Sequence, residues 1–139
     1  MELRIPATVL QEIRTHARET APVECCGFLI GSKEGDARIV RAARRATNVD
    51  SDATARYQVD SREVLAVERE FRSGDDQWIG IYHSHPAGDE APSMYDEAHA
   101  WPWYIYLIVA PDSRSPGRVA AWILDEGSRK FRSIALRIG

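Results

Sequence analysis

The chain has little cysteine, no long apolar run and no strong excess of charge. Only two cysteines occur in 139 residues, and they are neighbours, Cys25-Cys26. Adjacent cysteines pair only through a strained ring, so with no third thiol an intrachain disulfide framework is excluded. A reducing cytoplasm is the expected setting. No stretch approaches the roughly 20 apolar residues that a membrane-spanning helix needs. The start, Met1-Glu2-Leu3-Arg4-Ile5-Pro6, lacks the basic-then-apolar pattern of a secretory leader, and export is not expected. The net charge of −3 and pI near 5.8 give no electrostatic basis for binding nucleic acid or an anionic membrane. Repeats and low-complexity segments are missing too. What is there, 44% hydrophobic and 28% charged residues, is the balance of a soluble globule. One domain over residues 1–139 is expected.

One segment of this plain background carries chemistry: His83-Ser84-His85-Pro86-Ala87-Gly88-Asp89-Glu90-Ala91-Pro92-Ser93-Met94-Tyr95-Asp96. The apolar run Gln77-Trp78-Ile79-Gly80-Ile81-Tyr82 before it reads as a buried strand running into His83. Alternate strand residues point to one side, so His83 and His85 face together. Pro86, Gly88 and Pro92 break regular structure. Ser93 then starts a helix that brings Asp96 back toward the imidazoles. A lone His-x-His ordinarily packs or lies at the surface, and a lone Ser-x-x-Asp is a plain capping box. Together, at this spacing, they supply three ligands and leave one position open, as catalytic zinc sites do.

His-x-His, seven residues, Ser, two residues, Asp is the metal motif of the JAMM (MPN-plus) metalloproteases. On His83, His85, Ser93 and Asp96 the chain resembles that family, in its short stand-alone prokaryotic form, from about Leu3 to its last strand. The resemblance implies an α/β fold of cytidine-deaminase-like layout, a mixed sheet sandwiched by helices. It implies one Zn2+ per chain on His83, His85 and Asp96. Glu24, in Pro22-Val23-Glu24-Cys25-Cys26-Gly27, takes the place of the family's upstream general base, and Ser93 that of its oxyanion donor. Larger members carry insertions that grip ubiquitin, whereas about seven residues follow Asp96 before the next strand here. The short members are implied to trim the C-terminus of ubiquitin-like sulfur carrier proteins. The expected reaction is therefore hydrolysis of an amide or isopeptide bond at the Gly-Gly tail of a β-grasp carrier. The alternatives are a deubiquitinase-like isopeptidase acting on a conjugated small modifier, and a non-catalytic MPN scaffold. A homodimer is left open. A deaminase-like hydrolase would need a Cys-x-x-Cys ligand pair, which the chain lacks.

The remaining pattern predicts the frame. A strand is expected over Leu3–Ile5 and a helix from Pro6 to Glu19, with Leu10, Ile13 and Ala17 inward. Strands are expected at Phe28–Ile30 (ending at Gly31), Arg38–Arg41, Tyr57–Val59, Tyr104–Val109, Val119–Leu124 and Phe131–Leu136. Asp60 is expected to cap a second helix with Glu63 completing the box, and Val64, Val67 and Phe71 inward. His16 is expected at the surface and His99 at a helix C-terminus. Arg38, Arg41, Arg44 and Arg45 read as a charge-protected strand edge. Trp101, Trp103, Tyr104 and Tyr106 read as core, and the two cysteines as small buried hydrophobes rather than a thiol site.

Overall fold

The structure, a computed structural model, describes residues 1–111 and 117–139. Its elements are β1 (Glu2–Ile5), α1 (Ala7–Thr20), β2 (Cys26–Glu34), β3 (Ala37–Ala46), α2 (Ser61–Glu70), β4 (Gln77–Ser84), α3 (Met94–His99), β5 (Ile105–Ala110), β6 (Arg118–Asp125) and β7 (Lys130–Ile138). The strands pair in the order β1-β3-β2-β4-β5-β6-β7, and β1 also pairs with β7, so the ring closes. The sheet is mixed. β1 runs parallel to β3 and β7, and β4 parallel to β5, while the other pairs are antiparallel.

Alternation along the central strands divides the core in two. Leu29, Ile79 and Leu107 pack with Val9, Leu10 and Ile13 of α1. Phe28, Ile30, Ile81 and Tyr106 pack with Val67 of α2 and with Ala100 just beyond α3. A mixed sheet with helices on its faces is thus what the resemblance implied, while closure of the strands into a ring was not expected. Fully burying one such side chain contributes about 1.5–3 kcal/mol, so this alternation outweighs any surface ion pair in fixing the register.

Several expectations change. Gly31 does not end β2 but sits in it at a bulge, where a Cβ would lie 1.7 Å from the Ile39 carbonyl oxygen. Tyr57–Val59 does not join the sheet and makes a single bridge, Val59 to Asn48. Asp60 does cap α2, accepting from the Arg62 N–H, but Glu63 leaves the box open because its carboxylate accepts from the Thr47 N–H instead. Arg38 is no edge charge. It is buried, donates to the Trp103 carbonyl at 2.6 Å and lies under the Trp103 ring. Arg41, Arg44 and Arg45 are exposed and matched to Asp76, Glu70 and Glu19. Trp101 and Trp103 stay 46% and 37% exposed, while Tyr106 is core.

His16 is the clearest correction. It is buried, and its Nδ1 stands 2.7 Å from the Tyr82 hydroxyl, a partner 66 residues away that no local pattern reveals. The Tyr82 ring lies across Gly27, where a Cβ would come within 2.2 Å of it. Burial lowers the His16 pKa from its ordinary value. The folded state therefore resists the proton that the unfolded state takes up, and stability falls as the pH drops below about 6.5. Replacing His16 with Gln should flatten that acid limb. Thermal midpoints of both proteins between pH 7.5 and 5 check this, and parallel curves would refute it.

Candidate active site

The site forms where β4 ends, on the α2 side of the sheet. His83 shares a strand face with Ile81, and its ring is fully buried. Tyr57 stacks on that ring at 4.3 Å and 26°. β4 continues one step into His85, whose N–H donates to the Val109 carbonyl at 2.9 Å. The loop through Gly88 then turns back, and the His85 Nδ1 donates to the Asp89 carbonyl at 2.7 Å. A carbonyl only accepts, so Nδ1 carries the hydrogen and the Nε2 lone pair of the neutral ring is left for a ligand.

α3 delivers the third group. The Ser93 hydroxyl accepts from the Asp96 N–H at 3.0 Å, and Asp96 Oδ2 accepts from the Ser93 N–H at 2.9 Å. The capping box and the ligand geometry are one arrangement: the bond that caps the helix also aims Oδ2 at both imidazoles. The His83 Nε2, His85 Nε2 and Asp96 Oδ2 atoms form a triangle with every side 3.1 Å. Three such atoms this close repel unless a proton or a cation lies between them. The side is close to the edge of about 3.3 Å that a tetrahedral ion imposes on ligands at about 2.0–2.1 Å. This donor set fits a divalent cation.

Electrostatics agree. Burial opposes ionisation of Asp96, yet the two imidazoles beside it hold its carboxyl well below the usual range. Burial pushes the His83 pKa down. Burial also acts against charge on His85, but Asp96, the Asp89 carbonyl and Glu24 together raise it.

Glu24 completes the cluster from the segment just before β2. Cys26 pairs with His83 across β2 and β4, which places Glu24 just past the ladder's end, beside the imidazoles. A carboxylate oxygen of Glu24 and one nitrogen each of His83 and His85 lie within 4.8 Å of one another. Glu24 is buried, and its Oε1 has no hydrogen-bond partner among the described residues. Burial raises its carboxyl to about 7, with His85 pulling down and Asp96 and Asp50 pushing up. A carboxylate titrating there is matched to taking and giving protons near neutral pH. Glu24, His85 and Ser93 line a cleft of ≈370 Å3 with Thr54, Ala55 and Gly88.

The structure thus gathers His83, His85, Asp96, Glu24 and Ser93 at one place. His99 stays outside the triangle, exposed, donating Nδ1 to the Tyr95 carbonyl at the end of α3 and stacked on the Tyr95 ring. Cys25 and Cys26 are buried, and burial pushes both thiols up, away from the reactive thiolate. The sequence reading missed Tyr57, Asn48 and the Asp89 carbonyl. Tyr57 lay in a segment read only as a strand, and a backbone carbonyl has no sequence signal.

A mixed sheet ending in an open His, His, Asp cluster beside a buried glutamate defines a candidate metallohydrolase. Residues 6–125 match the family described as prokaryotic homologs of the JAB domain, and the chain belongs to that family. It is similar to the desampylase of Haloferax volcanii, 37% identical over 141 residues, covering 98% of this chain and 96% of that protein. It is also similar to the CysO-cysteine peptidase of Mycobacterium tuberculosis, 38% identical over 119 residues, covering 84% and 77%. Its fold matches a JAB1/MPN domain protein from Archaeoglobus fulgidus with a TM-score of 0.64 at 18% identity, covering 97% of each chain.

Proposed function

We propose that this chain is a zinc-dependent metallopeptidase, one domain over residues 1–139 acting in the cytoplasm. Its reaction is hydrolysis of an amide or isopeptide bond at the C-terminal Gly-Gly tail of a ubiquitin-like sulfur carrier. The observation that carries this reading is the 3.1 Å triangle of His83, His85 and Asp96 beside Glu24, whose Oε1 has no partner among the described residues. The names of the two relatives support the substrate class.

His83 Nε2, His85 Nε2 and Asp96 Oδ2 would hold one Zn2+. When bound, the ion supplies Lewis acidity, which makes water acidic near neutral pH and polarises a carbonyl. Glu24 takes a proton from the attacking water and passes it to the leaving amine. The Ser93 hydroxyl accepts from Asp96 N–H and keeps its own hydrogen to donate to the carbonyl oxygen as charge develops there. No residue becomes covalently bound to substrate. The cytidine-deaminase-like layout belongs to the same reading.

The tail has a place to lie. Gln58 turns its N–H and carbonyl toward Asn48 and Val49, so Tyr57 and Val59, by alternation, turn theirs to the opposite edge. Among the described residues no backbone hydrogen bond engages Tyr57 or Val59. Both residues line a cavity of ≈610 Å3 that reaches Asp96 and is walled by Tyr95, His99 and Trp101. An extended tail added along this edge leads to the triangle, and glycines permit close backbone approach at its end. A carrier bearing an amino acid or a lysine side chain after its terminal Gly-Gly should be cleaved by the zinc-loaded enzyme, and ubiquitin dimers poorly. Mass spectrometry of a mixture of both substrates decides. Efficient ubiquitin cleavage with the carrier adduct untouched would favour the deubiquitinase-like alternative.

A further inference from the structure

We infer that Asn48, which lies outside the metal cluster, is a positioning residue for Glu24. The inference rests on the metallopeptidase reading above. Glu24 precedes β2, so the sheet ladder does not hold it. Its backbone is gripped instead by the segment 48–58: the Glu24 N–H donates to the Ala53 carbonyl at 2.8 Å, and the Glu24 carbonyl accepts from Asn48 Nδ2 at 3.0 Å.

The same side-chain amide organises the segment itself. Nδ2 also donates to the Arg56 carbonyl at 3.1 Å, and Oδ1 accepts from the N–H groups of Asp50 and Gln58 at 3.0 and 3.1 Å. Arg56 and Gln58 flank Tyr57, the ring stacked on His83. One amide therefore ties the backbone of Glu24 to the backbone around Tyr57, the back wall of His83. An amide suits this post because it offers donors to two carbonyls on one side and an acceptor to two N–H groups on the other. A carboxylate offers only the acceptor half, and alanine neither.

The test is a double-mutant cycle with Glu24. The probe is a Gly-Gly-terminated β-grasp carrier joined through its last carbonyl to the Nε of a fluorescent lysine peptide. In the otherwise natural chain, Asn48→Ala should lower kcat about 10–100-fold, the usual worth of an outer partner at a metal site. KM should stay within about threefold, and the zinc content by elemental analysis should be unchanged. In a Glu24→Gln background the same substitution should cost about threefold or less, because residues acting as one unit are non-additive. If Asn48→Ala does not fold, Asn48→Asp replaces it. The carboxylate keeps the acceptor for Asp50 and Gln58 and removes the donor to Glu24, and the same pattern is expected. Equal losses in both backgrounds, or loss of zinc in step with kcat, would reduce Asn48 to a scaffold residue and overturn the inference. Full activity in Glu24→Gln alone would instead overturn the underlying assignment of Glu24.

Discussion

His85→Ala and Asp96→Asn should leave the purified protein with little of the roughly one zinc per chain expected of the natural protein after dialysis. His85→Ala removes one corner of a triangle with 3.1 Å sides, and Asp96→Asn turns another from a charged carboxylate into a weakly ligating neutral amide, so neither site should hold the ion against buffer. Asp96→Asn is preferred to alanine on physical grounds. The Asp96 carboxylate also accepts the Ser93 N–H, and loss of a helix cap costs about 0.5–2 kcal/mol by itself. The amide oxygen of asparagine keeps that bond and removes only the charge. A protein of near-natural thermal midpoint with depleted zinc therefore reports on ligation rather than folding. Elemental analysis settles it, and full occupancy in both variants would dismiss the ligand assignment.

Glu24→Gln has the second large effect, on rate rather than on metal. The amide is isosteric, and the backbone anchors of Glu24 to Ala53 and Asn48 do not involve its side chain. Fold and zinc content should survive. Hydrolysis should fall by roughly 10²–10⁴, the worth of a positioned general base. The competing explanation is a thiol mechanism, since Cys25 and Cys26 follow Glu24 directly. Both are buried and their thiols are pushed up, so Cys26→Ser should stay active. Alkylation that abolished turnover, with Glu24→Gln unimpaired, would reverse the roles.

The convergence of His83, His85 and Asp96 was legible in the sequence because its constraints are local. His83 and His85 share a face through the two-residue period of a strand, and Ser93 and Asp96 meet through the three-residue reach of a capping box. Both geometries hold over a few bonds, wherever the segment lies. The helices, the apolar strands and the two-sided core were legible for the same reason. His16 on Tyr82, Arg38 under Trp103, Tyr57 on His83 and Asn48 on Glu24 were not. Each joins residues at least 24 apart, and their placement follows from which strands pair. Pairing of β2 with β4 sets Glu24 beside His83. The sequence by itself determined that His83 and His85 share a face and that Ser93 and Asp96 meet, because the backbone period alone aims them. Only the tertiary structure decided what holds Glu24 in place and what backs the first imidazole. Those contacts depend on packing between segments whose spacing along the chain carries no period.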